Sequence, residues 1–266
     1  MPINSASDIA AAWVSHFWSA DHELNWIAAE VEHSVWLTPN TLLAGRIDTL
    51  GTNDNGNFFG EWKTANPREK NTWKQVWRMN PQSLTYGVLA ADWFAGRGES
   101  CTQFTVRKAF KSTPPTFDHA WYSYSLGELE HWRASLIVIA DEIRKGGPGP
   151  WETNLTHCFQ YGVNYACPHF ESGCSKMMFD IDPAGPKRVP HLEIERRLLS
   201  DEHDDDRDHV VILDATRVKA WLGCREKFRR EYVHNVTTPM TEALQLGIEC
   251  HDLWGKYYQS LVRGTP

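Results

Sequence analysis

Three short segments hold the residues of this chain that are best suited to chemistry. They are GRID at 45–48, GEWK at 60–63 and QSLTY at 82–86. The first ends an apolar run and the second lies within another, and each run has the composition of a strand. The residues between the two runs, 53–56, read NDNG, which is typical of a hairpin turn. The sequence therefore predicts two paired strands that carry Asp48 and Glu61.

Alternate residues of a strand point to the same face of its sheet, so Glu61 and Lys63 are expected side by side while Trp62 points away. A paired neighbouring strand can bring Asp48 to the same spot. Two carboxylates and a lysine that converge in this way can hold a divalent cation and activate a water molecule. The competing interpretation is that these residues are solvated charges on exposed strands.

Together the three segments resemble the PD-(D/E)XK nuclease superfamily and, within it, the RecB-like and CRISPR-adaptation exonucleases. The resemblance implies a metal-dependent DNA nuclease that hydrolyses phosphodiester bonds with Mg²⁺ or Mn²⁺. The family's metal ligands match Asp48, Glu61 and the backbone carbonyl of Trp62. Its catalytic residues match Asp48, Glu61 and Lys63, and the lysine stabilises the attacking water or the charge that develops on the phosphate.

The Gln-x-x-x-Tyr pair marks the RecB-like branch of that family. Gln82 and Tyr86 are four residues apart and share one face of the predicted helix, which suits two groups that contact the same substrate. The resemblance implies that they bind the DNA backbone. It also implies an α/β (α+β) fold of the restriction-endonuclease type, in which helices flank a central mixed sheet.

The C-terminal segment, 214–258, resembles the part that opens the fold in RecB-like nucleases. It contains a helix with Cys224, a basic and aromatic stretch, and a second helix with Gly247-x-x-x-His251. The resemblance makes His251 the remaining metal ligand, whereas a histidine on an otherwise apolar helix is often a core residue. Since the family's opening segment stands last in this chain, the fold is expected to be permuted.

Three origins of that order stay open. The chain is a circular permutant whose C-terminal helices dock where the N-terminal ones normally lie, or a tandem protein whose second copy is cut at Pro266, or a frame taken from an arbitrarily opened circular sequence. Docking is the working hypothesis, because one chain then supplies each element of the site once.

Four of the six cysteines carry a second signal. They are Cys158, Cys167, Cys174 and Cys224. In an intracellular chain, clustered cysteines favour a metal over disulfides. The resemblance implies that the four thiolates hold a [4Fe–4S] cluster, although the Cys-x8-Cys-x6-Cys spacing is wider than the family's usual Cys-x2-Cys start. The alternatives are zinc, with His157 or His169 as extra ligands, and unrelated buried thiols.

Composition sets the outer limits. The 266 residues include 13 tryptophans and carry a net charge of −7, so the chain is long enough for a full core and is too aromatic for a disordered tail. No apolar run approaches the roughly 20 residues that span a bilayer, and the N-terminus has no signal-like pattern, so the expected location is the cytoplasm, away from membranes. The acidic balance argues against an indiscriminate nucleic-acid coat but suits a carboxylate metal site.

The expected partners are DNA and a protein of a recombination or helicase complex, in a phage, recombination or repair setting. The alternative function is a catalytically inert module that binds DNA or a protein partner. Strand preference, polarity and exonuclease or endonuclease action leave no signature in these residues.

The predicted domains are a nuclease core over 1–150, a cysteine cluster over 151–180, an acidic linker over 181–210 and a helical segment over 211–266. Helices are expected over 7–30, 72–95, with a break at Pro81, and 125–145. Strands are expected over 32–37, 41–50, 57–64, 101–110 and 117–124. Glu32, at the start of the first strand, is a weaker candidate for a supporting carboxylate.

Overall fold

The computed structural model describes residues 5–145, 210–233 and 240–264. The chain divides into two units. The first is formed by Met1–Val35, Ala44–Arg133 and Met240–Pro266, and the second by Trp36–Leu43 and Ala134–Pro239. The predicted cysteine cluster and most of the predicted acidic linker lie outside the described residues.

Helices flank a mixed sheet, which confirms the predicted α+β fold class. In chain order the elements are α1 (Ala6–His22), β1 (Asn25–Thr38), β2 (Thr41–Asn53), β3 (Gly56–Ala65), a 3₁₀ turn (Pro67–Glu69), α2 (Trp73–Trp77), α3 (Pro81–Ala95), β4 (Cys101–Phe110), β5 (Thr116–Ser123), α4 (Leu126–Lys145), β6 (Val211–Leu213), α5 (Ala215–Gly223), α6 (Arg225–Phe228), a π-helical turn (Arg229–Val233) and α7 (Glu242–Val262).

The strands follow one another across the sheet in the order β1–β2–β3–β4–β5. The predicted hairpin is confirmed: β2 and β3 are antiparallel, Asn53 pairs with Gly56, and Gly56 has φ 114°, a conformation that favours glycine. β3 and β4 are parallel, so the chain must cross over between them, and α2 and α3 form that crossover. β4 and β5 are again antiparallel.

The second unit contains a short parallel pair of its own. Thr41–Leu43, the first residues of β2, pair with β6. Asp214 then caps α5, because its side chain accepts hydrogen bonds from the backbone N–H groups of Thr216 and Arg217.

The predicted first helix is too long. The sequence predicts a helix over 7–30, but α1 ends at His22 and β1 begins at Asn25. Two contacts of Asp21 fix this end: its buried carboxylate binds Arg107, and its backbone carbonyl accepts a hydrogen bond from Trp26 Nε1 at 2.9 Å. The residues that follow are mostly apolar, and an apolar run alone does not distinguish a helix from a strand.

α3 and α4 agree with the predicted helices to within a residue, whereas α2 is shorter than predicted because it ends at Trp77 and residues 78–80 are not helical. The break before Pro81 is present, since α2 ends at Trp77 and α3 begins at Pro81 with Asn80 as its cap. Ser125 caps α4, as its hydroxyl accepts a hydrogen bond from the backbone N–H of Glu128.

An aromatic core joins α1, α7 and one face of the sheet in the first unit. Four of its large side chains are fully buried: Trp13, Trp62, Trp254 and Tyr258. Trp13 stacks on Trp254 with ring centroids 4.2 Å apart, and Trp62 stacks on Tyr258 at 4.4 Å. Trp13 Nε1 also donates a hydrogen bond to the Tyr258 hydroxyl at 3.1 Å. These contacts seat α7 against the start of the chain.

Truncation of one core side chain of α7 tests this seating. We expect Trp254→Ala to lower the free energy of unfolding by about 3–5 kcal/mol, because it removes a buried ring and leaves a cavity. Urea unfolding followed by circular dichroism measures the change. The matched control is Leu244→Ala on the same helix, whose side chain is 54% exposed and whose loss should cost about 0.5 kcal/mol or less. Equal small effects from both variants would show that α7 is not docked.

Candidate metal centre

Asp48 is held where the regular β2–β3 ladder ends. The antiparallel register runs from Asn53 and Gly56 to Thr49 and Gly60, one residue short of Asp48. Beyond it, the backbone N–H of Trp62 donates to Asp48 Oδ2 at 2.7 Å. The Asp48 carboxylate is almost fully buried, and this bond fixes its direction.

The Glu61-Trp62-Lys63 segment alternates between two environments, as a strand requires. The Trp62 ring points into the aromatic core. Glu61 is fully buried, and Lys63 Nζ binds its Oε1 at 2.7 Å. Burial alone would lower the pKa of Lys63, but the nearby carboxylates of Glu61 and Asp48 outweigh it and raise the pKa. Lys63 is therefore a fixed positive charge beside two acidic groups.

His251 reaches this place from α7. Its Nε2–H donates to the backbone carbonyl oxygen of Trp62 at 2.7 Å, across 189 positions of sequence. Burial lowers the pKa of His251, against the opposing effect of Asp48, so the imidazole is neutral at neutral pH. Neutral imidazole is the form that binds metals. Two residues that the resemblance matches to metal ligands, His251 and Trp62, are thus adjacent.

Glu30 is the site residue that the sequence reasoning missed. It lies on β1 with φ 55°, a left-handed backbone conformation that is rare outside glycine. Glu30 Oε2 pairs with Arg46 Nε at 3.2 Å, whereas Oε1 has no hydrogen-bond partner among the residues that the structure describes. Burial, and then the charge of Asp48, raise the pKa of Glu30 to about 7. A buried carboxylate oxygen without a partner next to another carboxylate is a strong site for a cation.

The backbone irregularity explains why Glu30 was missed. On a regular strand Glu30 and Glu32 would share one face, and Glu32 was the candidate that the sequence offered. In the structure Glu32 is exposed, while Glu30 is turned toward Asp48 and is only partly accessible. The predicted extension of α1 had also placed residue 30 in a helix. No residue type in the segment signals a positive φ at a glutamate.

Three ligand atoms converge at one point. One atom each from Glu30, Asp48 and His251 lie within 4.8 Å of one another, and this is the only group of three or more histidine, cysteine or acidic residues to do so within the described ranges. Ligands that bind one ion at about 2.0–2.6 Å lie no more than about 4–5 Å apart, so the group has the size of a single cation site. Two carboxylates and an imidazole suit Mn²⁺, and oxygen ligands alone suit Mg²⁺.

Glu61 falls outside that group of three. Its carboxylate holds Lys63 instead, so the structure assigns the predicted Glu-x-Lys motif an internal ion pair. Glu30 occupies the position of a second carboxylate beside Asp48. Of the expected ligand set, Asp48 and His251 both bind the backbone of Trp62, whereas the Glu61 side chain binds Lys63 and Glu30 joins Asp48 and His251 instead.

The predicted substrate-binding pair lies on the helix that covers β2. A Cβ added at Gly45 would lie 2.8 Å from Leu89 Cδ1 and 3.2 Å from Tyr86 Cε1, so the glycine of the GRID segment allows α3 to approach the strand. Tyr86 therefore packs against Gly45, which lies three residues before Asp48 on β2. Gln82 stands one turn earlier, next to the cap Asn80, and is partly exposed.

The cysteine prediction can be followed only at Cys224, since Cys158, Cys167 and Cys174 lie outside the described residues. Cys224 is buried at the end of α5 in the second unit, where its backbone N–H donates to Ala220 at 2.8 Å. Its carbonyl then accepts the bond from Phe228 that starts the next turn.

No protein-family model matches the chain, and no curated protein matches it either. Among the described helices, none combines the length and the apolar character needed to cross a bilayer.

The metal centre can be tested without any assay of activity. We expect Glu30→Gln to weaken Mn²⁺ binding by about tenfold or more, because it removes the charge of one ligand from a largely buried group. Isothermal titration calorimetry with Mn²⁺ on the full chain measures the change. Glu32→Gln, two residues further along the same strand and exposed, removes the same charge and should leave the affinity within about twofold. Equal losses in both variants would contradict the assignment of Glu30.

Proposed function

We propose that this chain is a metal-dependent deoxyribonuclease that hydrolyses phosphodiester bonds. One observation carries the proposal: a neutral histidine, the buried carboxylate of Asp48 and the partly buried carboxylate of Glu30 converge within 4.8 Å, with a backbone carbonyl bound to the histidine and a charged lysine nearby. That combination of groups is what metal-assisted hydrolysis of a phosphate ester requires. The resemblance of its motifs to the PD-(D/E)XK superfamily agrees with it.

Glu30, Asp48, the Trp62 carbonyl and His251 would hold Mg²⁺ or Mn²⁺, with Glu61 as a further candidate from the motif. The fit rests on the distances within the group and on the buried Glu30 oxygen that lacks a hydrogen-bond partner among the described residues. When bound, the ion would polarise the scissile phosphate and lower the pKa of a water molecule.

Lys63 supplies the positive charge that the reaction needs near the phosphate. Glu61 fixes its ammonium group at 2.7 Å, so the lysine does not have to be ordered when the substrate arrives. A fixed charge aimed at the place where negative charge develops is worth more than a mobile one. The pair thus acts as a unit, in which Glu61 positions the lysine and Lys63 stabilises the negative charge that develops on the phosphate.

Gln82 and Tyr86 would bind the DNA backbone next to the metal. The approach of α3 to Gly45 brings Tyr86 to the strand that carries Asp48, and one helical turn separates it from Gln82. Two groups along one helix face suit one strand of DNA that passes over the site.

The packing of α7 supports the permutant hypothesis. His251 and the aromatic side chains of α7 contact β3 and α1 within the first unit, which is where the resemblance puts the opening helix of the fold. One chain then supplies each part of the site once.

The four-cysteine site remains part of the proposal as an iron–sulfur or zinc centre. We expect anaerobically purified protein to contain iron and acid-labile sulfide, or zinc, as measured by elemental analysis. Cys224→Ser should lower that metal content, because a hydroxyl is a much poorer ligand than a thiolate for either centre. Cys101→Ser is the control, since Cys101 is a buried thiol on β4 in the first unit. Equal metal content in all three proteins would contradict the assignment of Cys224.

Cleavage of DNA is the direct test of the proposed function. We expect the full chain to cut linear DNA when Mn²⁺ or Mg²⁺ is added and to lose activity with a chelator. Lys63→Ala should lower kcat by about 10²–10³-fold, because it removes a fixed charge at the reacting phosphate. The control is Lys256→Ala, an exposed lysine on α7, which should leave the rate unchanged.

Circular substrates refine this experiment. An exonuclease, which the resemblance implies, degrades linear single- or double-stranded DNA and spares closed circles, whereas an endonuclease cuts both. If the well-folded chain binds DNA equally with and without chelator and cuts none, the proposed function is wrong and the chain is a binding module.

A further inference from the structure

A second lysine stands beside Lys63 on the neighbouring strand. The parallel register of β3 and β4 pairs Lys63 with Lys108. Residues that pair across neighbouring strands share a sheet face and have Cα atoms about 5 Å apart. Lys108 therefore lies on the face that carries Glu61, one strand further from Asp48 in the sheet.

Lys108 is held in a pocket of aromatic rings. Its side chain is only 5% exposed, and its ammonium lies 5.3 Å from the ring centroid of Trp73 and 5.1 Å from that of Trp77. Both rings belong to α2, the first helix of the crossover between β3 and β4. Burial lowers the pKa of Lys108, and the hydrogen bond to Glu69 opposes this shift. Such an ammonium is already ordered and partly stripped of water.

The ion-pair partner of Lys108 is Glu69, which is far more exposed than the lysine. Glu69 Oε2 binds Lys108 Nζ at 3.1 Å, but the Glu69 side chain is 51% exposed and belongs to the short 3₁₀ turn after β3. The cation is thus buried and fixed, whereas its counter-ion faces solvent. Because Glu69 is the more exposed member of the pair, it is the group that an anion from solvent would displace.

Packing alone does not require a lysine here. A buried charge costs free energy that an apolar side chain of similar size avoids, so a lysine between two tryptophans calls for a partner with which it forms a stronger interaction. The half-exposed Glu69 supplies only part of that interaction, since exposed ion pairs contribute little. A phosphate diester offers several charged oxygens to the same ammonium.

We propose that Lys108 is a phosphate-contacting residue of this site, and that a DNA phosphate replaces the Glu69 carboxylate when the substrate binds. The inference rests on the proposed function, because it takes the substrate to be DNA. Lys63 and Lys108 then contact consecutive parts of the same strand, the first at the reacting phosphate and the second at its neighbour. Glu69 keeps the lysine charged and in place until that exchange.

The proposal predicts opposite effects for the two halves of the pair. Lys108→Ala should weaken DNA binding by about tenfold, because it removes a hydrogen bond between charged groups. Glu69→Gln should strengthen binding by about threefold, because the competing carboxylate is gone. A salt bridge with a purely structural role would give no gain of affinity from Glu69→Gln.

Fluorescence anisotropy with a labelled single-stranded oligonucleotide measures these affinities. All variants are made in the full chain with Lys63→Ala, which slows turnover by about 10²–10³-fold during the titration. For Lys108→Ala the slope of log Kd against log salt should fall by about 0.7, the value for one phosphate contact on a single strand. Lys108→Arg should restore most of the affinity. Lys256→Ala removes an equal charge from an exposed position and should leave the affinity within about twofold.

The outcomes separate this inference from the proposed function. Affinity of Lys108→Ala within twofold of its parent, or a loss in Glu69→Gln as large as that in Lys108→Ala, overturns the role of Lys108. Should Lys108→Ala fail to fold in a urea titration, Glu69→Gln decides alone, and an unchanged or weaker affinity overturns the proposal. A chain that binds DNA with the expected pattern but never cleaves it overturns the proposed function and leaves the phosphate contact standing.

Discussion

The position of Trp62 is the constraint on which the rest of the site depends. Its ring is fully buried and stacks on Tyr258, while its backbone N–H holds Asp48 and its carbonyl holds His251. The regular ladder between β2 and β3 ends at Gly60, so both backbone groups are available for these bonds. A change in the aromatic core that shifts this ring therefore moves two candidate ligands at once.

A buried polar network fixes the elements around that residue. Arg107 of β4 binds the Asp21 carboxylate at the end of α1 and the Tyr258 hydroxyl of α7, and all three groups are almost fully buried. Breaking a buried ion pair leaves an uncompensated charge, which costs about 3–5 kcal/mol, so such a network discourages any other arrangement of the three elements. Arg107 and its neighbour Lys108 point to opposite faces of the sheet. β4 thus contributes Arg107 to the buried network and Lys108 to the proposed phosphate contact.

Local signals in the sequence predicted the parts that depend on neighbours in the chain. The turn at 53–56, the cap before Pro81 and the shared face of Glu61 and Lys63 all follow from residue types within a few positions, and the structure contains each of them. Glu30 depends on a positive φ within β1, which has no local signature, and on a close contact with Gly255 of α7, which lies far away in the chain. The predicted first helix extends into β1, because the apolar residues at the start of β1 fit a helix as well as a strand.

The docking of α7 depends on residues of the helix itself and does not depend on the position of the helix in the chain. A Cβ at Gly247 would lie 3.1 Å from Thr64 Oγ1, and one at Gly255 would lie 3.1 Å from Glu30 Oε1. These glycines stand four residues before and four after His251, so all three share one face of the helix. Alanine at either position would force the neighbouring side chain, Thr64 or Glu30, or the helix itself to shift by a few tenths of an ångström. The spacing Gly-x-x-x-His-x-x-x-Gly is therefore a condition for bringing an imidazole and a buried carboxylate to the same point, and it acts through contacts in space, independently of the order of the segments.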